Sequence, residues 1–231
     1  MRGDRRRLLL TSRHCGLTAA VGVAVVFASF LAAGFAAAGR VHERGTAAYS
    51  THGIQAKLEY CKTCHGLSGE GYHGYFPMPR LAGQQSKYIE NQLRAFIERR
   101  RTNLVMFNVA HALNPSMISD LAAHFRDLNP KPLGGAPRER VATGKTIYQE
   151  GLPEANVPAC SACHGSEAKG QDEIPRLAGQ LFPYTVKELA NWSKERGQGG
   201  ARDTSAIMAP TAHNLTQSQI AAIAAYLSYL K

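Results

Sequence analysis

Apolar residues recur along the chain with the three- and four-residue spacing of α-helices. No run of residues alternates convincingly with the period of two that is typical of a β-strand. The pattern therefore predicts an all-α fold. The clearest stripes are Ile89, Leu93, Phe96 and Ile97, then Ile118, Leu121, Ala122 and Phe125, then Leu189 and Trp192, and finally Ile220, Ile223, Ala224 and Leu227.

Two of these helices have well-marked start signals. Asn114 is an N-cap residue followed by Pro115, and both residue types favour a helix beginning at that point. Thr216 and Gln219 form a capping box ahead of the last stripe. We expect two further helices, from about 53 to 60 and from about 144 to 149, each leading into a cysteine motif.

The chain also repeats itself. Residues 61–66, Cys-Lys-Thr-Cys-His-Gly, recur as Cys-Ser-Ala-Cys-His-Gly at 160–165, which is 99 positions later. Residues 79–84, Pro-Arg-Leu-Ala-Gly-Gln, recur without any change at 175–180, 96 positions later. Three blocks in the same order indicate two homologous halves with small insertions. The third block is Met106, Ala110 and His111, which recur as Met208, Ala212 and His213.

A segment rich in proline and glycine separates the halves. Residues 129–137 contain three Pro and two Gly, which break any helix. We expect one domain over 46–130, a linker over 131–137 and a second domain over 138–231. A domain of this size is only marginally stable if its core consists of side chains alone. We therefore expect something other than side chains to fill the interior of each domain.

The first 39 residues have the pattern of a targeting segment. Five arginines lie within residues 1–14, and residues 15–39 carry no charge at all. This run fits either a secretory signal peptide, with small residues at 36–38 for cleavage, or a hydrophobic helix retained as a membrane anchor. Both outcomes export the rest of the chain, and the second allows membrane association through residues 15–39.

The basic composition changes meaning once this segment is removed. The whole chain has 27 Lys and Arg against 17 Asp and Glu. Residues 1–39 contain five of these bases and one of these acids, so 22 bases and 16 acids remain. We therefore expect no nucleic-acid partner. We interpret the run from Arg99 to Arg101 as a solvated helix end that is favoured by the helix dipole.

The candidate chemistry lies in the two Cys-x-x-Cys-His motifs. This motif attaches c-type haem, because the two thiols form thioethers with the haem and the adjacent histidine binds its iron. A thioredoxin-like redox motif would need a βαβ pattern, which is absent, and a shared zinc site would leave the histidines without a role. The motifs thus predict two covalently bound haem c groups. Their residues are Cys61, Cys64 and His65, and Cys160, Cys163 and His164.

A haem iron has either a sixth ligand or an open site, and this choice separates an electron carrier from an enzyme. Only Met106 and Met208 are repeated among the five methionines, and thioether ligation raises the reduction potential. His111 and His213 are repeated as well, five residues after each methionine. We favour methionine, and the spacing alone leaves bis-histidine ligation open.

The identical hexapeptides are candidates to support the haem from outside its ligand set. A carbonyl near Pro79 or Pro175 is placed in the sequence to accept the other ring N–H of the ligating histidine. Arg80 and Arg176 are candidates to pair with haem propionates. The alternative is a tight turn with a surface arginine. Tyr88 and Tyr184 also recur, and we expect core or haem-wall positions for them.

Together these motifs resemble those of the bacterial di-haem cytochromes of the cytochrome c4 type, over roughly residues 53 to 231. The resemblance implies two tandem class I cytochrome c domains with pseudo-twofold symmetry, here preceded by an N-terminal hydrophobic helix. It further implies that Cys61, Cys64, His65 and Met106 serve one haem, and that Cys160, Cys163, His164 and Met208 serve the other.

The resemblance also implies a function. It points to a periplasmic carrier of single electrons, from a quinol-oxidising complex or dehydrogenase to a terminal oxidase, soluble or tethered to the inner membrane. The alternatives are a permanently bound haem subunit of a membrane oxidoreductase and a di-haem peroxidase-type enzyme. Because both halves carry the same ligand set, we expect an electron-transfer protein and not an enzyme, with redox proteins as its partners.

Overall fold

The computed structural model of the chain describes residues 53–196 and 203–231. The chain divides into two units, Met1–Tyr49 and Ser50–Lys231, and all described residues belong to the second. The predicted targeting segment 1–39 therefore lies outside the described residues. Within the two described ranges, no helix is both long enough and apolar enough to cross a membrane.

The first half contains four helices within the described part of the chain. Helix α1 extends through the first cysteine motif, further than the sequence pattern predicted, because no helix-breaking residue lies between Gly53 and His65. The helices are α1 over 53–65, α2 over Ser86–Ile97, α3 over Leu104–His111 and α4 over Pro115–Arg126.

The second half repeats this order with more interruptions. Helix α5 ends at Glu150, and residues 151–159 separate it from the second cysteine motif, so the expected helix does not lead directly into that motif. The helices are α5 over Val141–Glu150, α6 over Ser161–His164, α7 over Phe182–Ala190, α8 over Trp192–Glu195, α9 over Met208–His213 and α10 over Gln217–Tyr229. Since the described residues form isolated β-bridges but no strand, the all-α prediction is confirmed.

Both predicted helix caps are confirmed. The side chain of Asn114 accepts a hydrogen bond of 2.9 Å from the Met117 amide at the start of α4. Thr216 and Gln219 form the complete capping box of α10, with hydrogen bonds of 3.3 and 2.8 Å. The domain limits 46–130, 131–137 and 138–231 stay predictions.

Each half has its own hydrophobic core, formed largely by the apolar stripes of the sequence. In the first half, α2 packs against α4, and Cys61 lies at the edge of their core. In the second half, α5 packs against α10, and Cys160 lies at the edge of that core. The buried residues of the first core are Leu58, Ile89, Leu93, Phe96, Ala110, Ile118, Leu121, Ala122 and Phe125.

The first helix of each half approaches the last helix at a glycine. At Gly144 of α5, an added Cβ would overlap the carbonyl oxygen of Ala222 and lie 2.9 Å from Cβ of Tyr226 in α10. At Gly53 of α1, the nearest atom is the flexible end of Met117, at 3.4 Å. The second crossing therefore requires glycine, whereas the first has room for a methyl group.

Four reciprocal hydrogen bonds join the halves, and they come from the two identical hexapeptides. The side chain of Gln84 accepts from the Arg176 amide at 2.7 Å and donates to the Arg176 carbonyl at 3.0 Å. The side chain of Gln180 accepts from the Arg80 amide at 2.8 Å and donates to the Arg80 carbonyl at 3.1 Å. This exchange confirms the expected pseudo-twofold relation between the halves.

Candidate haem-binding sites

In the first half, α1 presents the whole cysteine motif. Cys61 is half-buried against the core and Cys64 is exposed. Three positions along a helix place two side chains on the same side, so one planar group can reach both sulfurs. Burial raises the pKa of the Cys61 thiol. The histidine that ends the motif, His65, is buried.

In the second half, the short helix α6 presents the same motif. Cys160 precedes this helix and is half-buried, while Cys163 is exposed. Burial raises the pKa of Cys160 to about 11. His164 ends the helix and is buried like His65. The two motifs thus present equivalent side chains from different local scaffolds.

Each buried histidine makes one hydrogen bond to the hexapeptide of its own half. Nδ1 of His65 lies 2.9 Å from the Pro79 carbonyl oxygen, and Nδ1 of His164 lies 3.0 Å from that of Pro175. Because a carbonyl oxygen only accepts, Nδ1 must carry the proton, and Nε2 keeps its lone pair for a metal. Burial lowers the pKa of both histidines, which favours this neutral form.

The arginines of the hexapeptides behave differently from surface residues. Arg80 is buried, and its guanidinium donates to the carbonyls of Ala82 at 3.0 Å and Pro130 at 2.8 Å. Its Nη1 is buried and has no hydrogen-bond partner among the described residues. Burial and the nearby Arg176 lower the pKa of Arg80. A buried guanidinium nitrogen without a partner fits an anionic group such as a haem propionate.

The repeated methionines and histidines lie on different faces of their helices. Met106 is half-buried in the first turn of α3 and packs against the core, and Met208 begins α9 and is also half-buried. His111 and His213 end the same helices and are exposed. The ring of His111 stacks on Phe107 at 5.6 Å between centroids. Met106 thus faces the first core and Met208 is half-buried, whereas both repeated histidines are exposed.

The described ranges do not support the zinc alternative. They contain no group of three or more His, Cys, Asp or Glu side chains that could hold a metal ion. Zinc in structural sites takes four such donors. Cys61 lies at the edge of the first core and Cys160 at the edge of the second, whereas Cys64 and Cys163 are exposed.

The structure also shows a buried polar network between the halves that sequence reasoning missed. We call it the interface cluster; its members are Tyr88, Gln92, Arg101, Tyr184, Glu188 and Arg196. Our interpretation of Arg101 as part of a solvated helix end was wrong, because its side chain is only 12% exposed and donates to Glu188 at 3.0 Å. One signal could have found the network. Tyr88 and Gln92 are each followed 96 positions later by a residue of similar shape, Tyr184 and Glu188.

The charges of the interface cluster stabilise each other. Burial alone would raise the pKa of Glu188, but Arg101 and Arg196 lower it to about 2. Burial raises the pKa of Tyr184 to about 12. Near neutral pH the carboxylate is therefore ionised and the phenol is neutral. The hydroxyl oxygens of Tyr88 and Tyr184, expected as core or haem-wall aromatics, accept hydrogen bonds from the two guanidinium groups.

The loops between the histidine and the proline differ in length and character. The first loop separates the bonded residues by 14 positions and the second by 11. Tyr75 and Phe76 are exposed at the tip of the first loop and contact each other edge to face. Asp172 and Glu173 are exposed in the second. The two halves therefore present an aromatic and an acidic surface beside equivalent sites.

Comparisons with known proteins agree with this geometry. The family model described as cytochrome c matches residues 43–128 and 141–231. Cytochrome c4 of Thiocapsa roseopersicina is 38% identical over 173 residues, covering 74% of this chain and 86% of that protein. The thiosulfate dehydrogenase electron acceptor of Thiomonas intermedia is 34% identical, covering 73% and 77%. The solved structure of Acidithiobacillus ferrooxidans cytochrome c4 has a TM-score of 0.63 at 34% identity, covering 74% of this chain and 98% of that one.

Proposed function

Because this chain belongs to the cytochrome c family, with two tandem domains and two covalently bound haem c groups, we propose that it carries single electrons in a periplasmic respiratory chain. Its donor is a quinol-oxidising complex or a dehydrogenase, and its acceptor is a terminal oxidase. The relative named as a thiosulfate dehydrogenase electron acceptor supports a dehydrogenase as donor. The protein is an electron carrier and not an enzyme.

The first haem would be held by Cys61 and Cys64 as thioethers, and His65 and Met106 would be the ligands of its iron. The equivalent residues for the second haem are Cys160, Cys163, His164 and Met208. The observation that carries this assignment is the hydrogen bond from each histidine Nδ1 to a proline carbonyl, at 2.9 and 3.0 Å. It orients both rings in the same way and leaves both Nε2 atoms to the metal.

Bound haem c supplies the reversible one-electron change itself. The chain's own residues supply orientation and charge. The carbonyls of Pro79 and Pro175 fix the histidine rings, so that each iron needs little ligand rearrangement between its two oxidation states. The buried Nη1 of Arg80 would pair with a haem propionate, and Arg176 would be its counterpart in the second half. Residues 1–39 deliver the domains to the periplasm, as a cleaved signal or as a retained anchor.

We expect two haems per chain, both six-coordinate and low-spin, in protein from a host that matures c-type cytochromes. The ferric protein should show the far-red charge-transfer band of sulfur bound to iron. Since each half has its own methionine, Met106→His and Met208→His should each remove about half of this band. The measurement is the far-red absorbance per haem, with haem content from the alkaline pyridine assay.

The matched controls are His111→Ala and His213→Ala, which should leave the far-red band unchanged because both rings are exposed. If the unaltered protein lacks the band and the histidine variants change its spectrum, the ligand assignment is wrong. A single haem per chain would contradict the di-haem carrier itself. Sequencing the N-terminus of the membrane-bound and soluble forms distinguishes a retained anchor, beginning at residue 1, from cleavage near residues 37–40.

A further inference from the structure

The interface cluster holds its charges close together in a buried setting. Arg196 lies almost wholly inside the protein and donates to Glu188 through Nε at 2.8 Å, with a second, shorter contact through Nη2. Arg101 donates to the same carboxylate oxygen at 3.0 Å. Gln92 accepts from both arginines, at 2.9 and 3.0 Å. Solvent therefore screens these charges far less than it screens exposed ion pairs.

The charges of the cluster do not balance. Its two arginines face a single carboxylate among the described residues, because the counterpart of Glu188 in the first half is the neutral Gln92. The more exposed Lys187 also lies 3.8 Å from Glu188, but it has its own carboxylate in Glu195, at 3.2 Å. Ionised Glu188 cancels one guanidinium charge, which leaves one positive charge in excess. A fixed charge in a region of low dielectric acts over a longer range than a charge in water.

This excess charge is coupled to the first half more directly than to the second. The guanidinium carbon of Arg101 lies 4.6 Å from the ring centre of Phe96, which belongs to the core that includes Cys61 and Met106.

The equivalent arginine of the second half has different surroundings. Arg196 stacks on Trp192 at 4.8 Å, but Trp192 donates to the Ser205 carbonyl at 3.1 Å and is not part of the core that includes Cys160. The pseudo-twofold symmetry of the halves is thus broken electrostatically near their shared interface.

We propose that Arg101 sets the difference between the two reduction potentials. Its buried charge raises the reduction potential of the first haem relative to the second, and the carboxylate of Glu188 limits that effect. This inference rests on the proposed di-haem function. Reduction lowers the positive charge of a haem iron by one, so a nearby guanidinium stabilises the reduced form. At equilibrium, Arg101 therefore shifts a single electron towards the first half.

The test uses the full haem-loaded chain carrying Met208→His, so that the far-red band marks only the first haem. Redox titration followed at this band and in the visible region gives the two potentials separately. We expect Arg101→Gln to change the equilibrium constant for electron exchange between the haems by about tenfold in favour of the second haem. This corresponds to lowering the first potential relative to the second by about 59 mV. Arg101→Lys keeps the charge and should retain most of the difference.

Two further variants sharpen the test. Glu188→Gln copies the residue of the first half and removes the limiting carboxylate, so it should shift the first potential in the opposite direction. Arg94→Gln removes an exposed arginine of α2, whose side chain is 50% exposed and pairs with Glu90, and should change neither potential because solvent screens it. Glu188→Gln also replaces Arg101→Gln as the deciding variant if the latter fails to fold.

An unchanged first potential in Arg101→Gln, with normal spectra for both haems, would overturn the inference and leave the proposed function intact. An equal shift of both potentials would also overturn it, since the charge would then favour neither half. A parent protein that binds fewer than two haems, or that does not titrate reversibly, would instead refute the proposed function.

Discussion

The two halves of the molecule bring equivalent side chains together from unlike scaffolds. In the first half, one continuous helix, 53–65, carries the entire cysteine motif. In the second, the four-residue helix α6 carries it after the break at 151–159, and Tyr148 of α5 donates a 2.6 Å hydrogen bond to the carbonyl of Gly165, which follows α6. Yet the bonds from histidine to proline carbonyl differ by only 0.1 Å between the halves. The orientation of the buried histidine therefore depends on the turn that returns to each hexapeptide, and not on the helix before it.

The halves also differ at two equivalent positions, where the first half has the neutral Gln92 and the second half has the charged Glu188. We expect replacement of the charged residue to cause the largest loss of stability. We expect Glu188→Ala to destabilise the haem-loaded protein by about 3–5 kcal/mol, because it leaves two buried guanidinium groups without their carboxylate. The measurement is equilibrium unfolding in guanidinium chloride.

The matched control for this change is Gln92→Ala. It removes a neutral amide that accepts from the same two arginines, so we expect a smaller loss of about 1–3 kcal/mol. Equal losses at positions 92 and 188 would mean that the charge of Glu188 adds nothing to the stability of the interface.

The helix crossings provide the second comparison. Gly144→Ala should destabilise the second half by about 3 kcal/mol, because the new methyl group overlaps the Ala222 carbonyl and neither helix backbone can move alone. Gly53→Ala should cost nothing or stabilise slightly, because only the flexible end of Met117 is close and alanine favours helix. Thermal unfolding of both variants tests this, and a tolerated Gly144→Ala would contradict the tight crossing.

The smallest effects should come from the two N-caps. Asn114→Ala and Thr216→Ala each remove a side-chain acceptor from the first turn of a terminal helix and should each cost about 1 kcal/mol. Gln219→Ala adds a separate, smaller loss in the second half alone, because only that half has the full capping box. Chemical unfolding measures these losses, and unaffected stability in both cap variants would show that packing alone defines the helix ends.

Much of this arrangement could be predicted from the sequence because its causes are local. Asn114 and Thr216 mark their helix starts by contacts three residues away, and the apolar stripe from Ile118 to Phe125 follows the helical period. The duplication was equally visible, since the hexapeptide at 79–84 returns unchanged at 175–180. The assignment of haem ligands to these motifs stays a prediction until the spectra are measured.

The interface cluster could not be predicted in the same way, because its contacts join residues far apart in sequence. Arg101 meets Glu188 across 87 positions, and nothing near Arg101 distinguishes it from its exposed neighbour Arg99. The predicted helix over 144–149 ends close to the observed end at Glu150, but the bridge between Leu152 and Val157 that follows it was not predicted, because an isolated bridge leaves no periodic pattern. In the interface cluster, tertiary contacts, and not local propensity, determine the outcome.

The exchange of hydrogen bonds between Gln84 and Gln180 bears on how such a chain could arise. The side chain of each glutamine binds the backbone of the opposite half, so the same surface of each half is used on both sides of the interface. Surfaces of this kind are isologous, and they also join separate identical subunits. The tandem chain thus has the architecture of a homodimer whose subunits have been fused, and the unaltered hexapeptide is what self-recognition by a duplicated ancestor would leave behind.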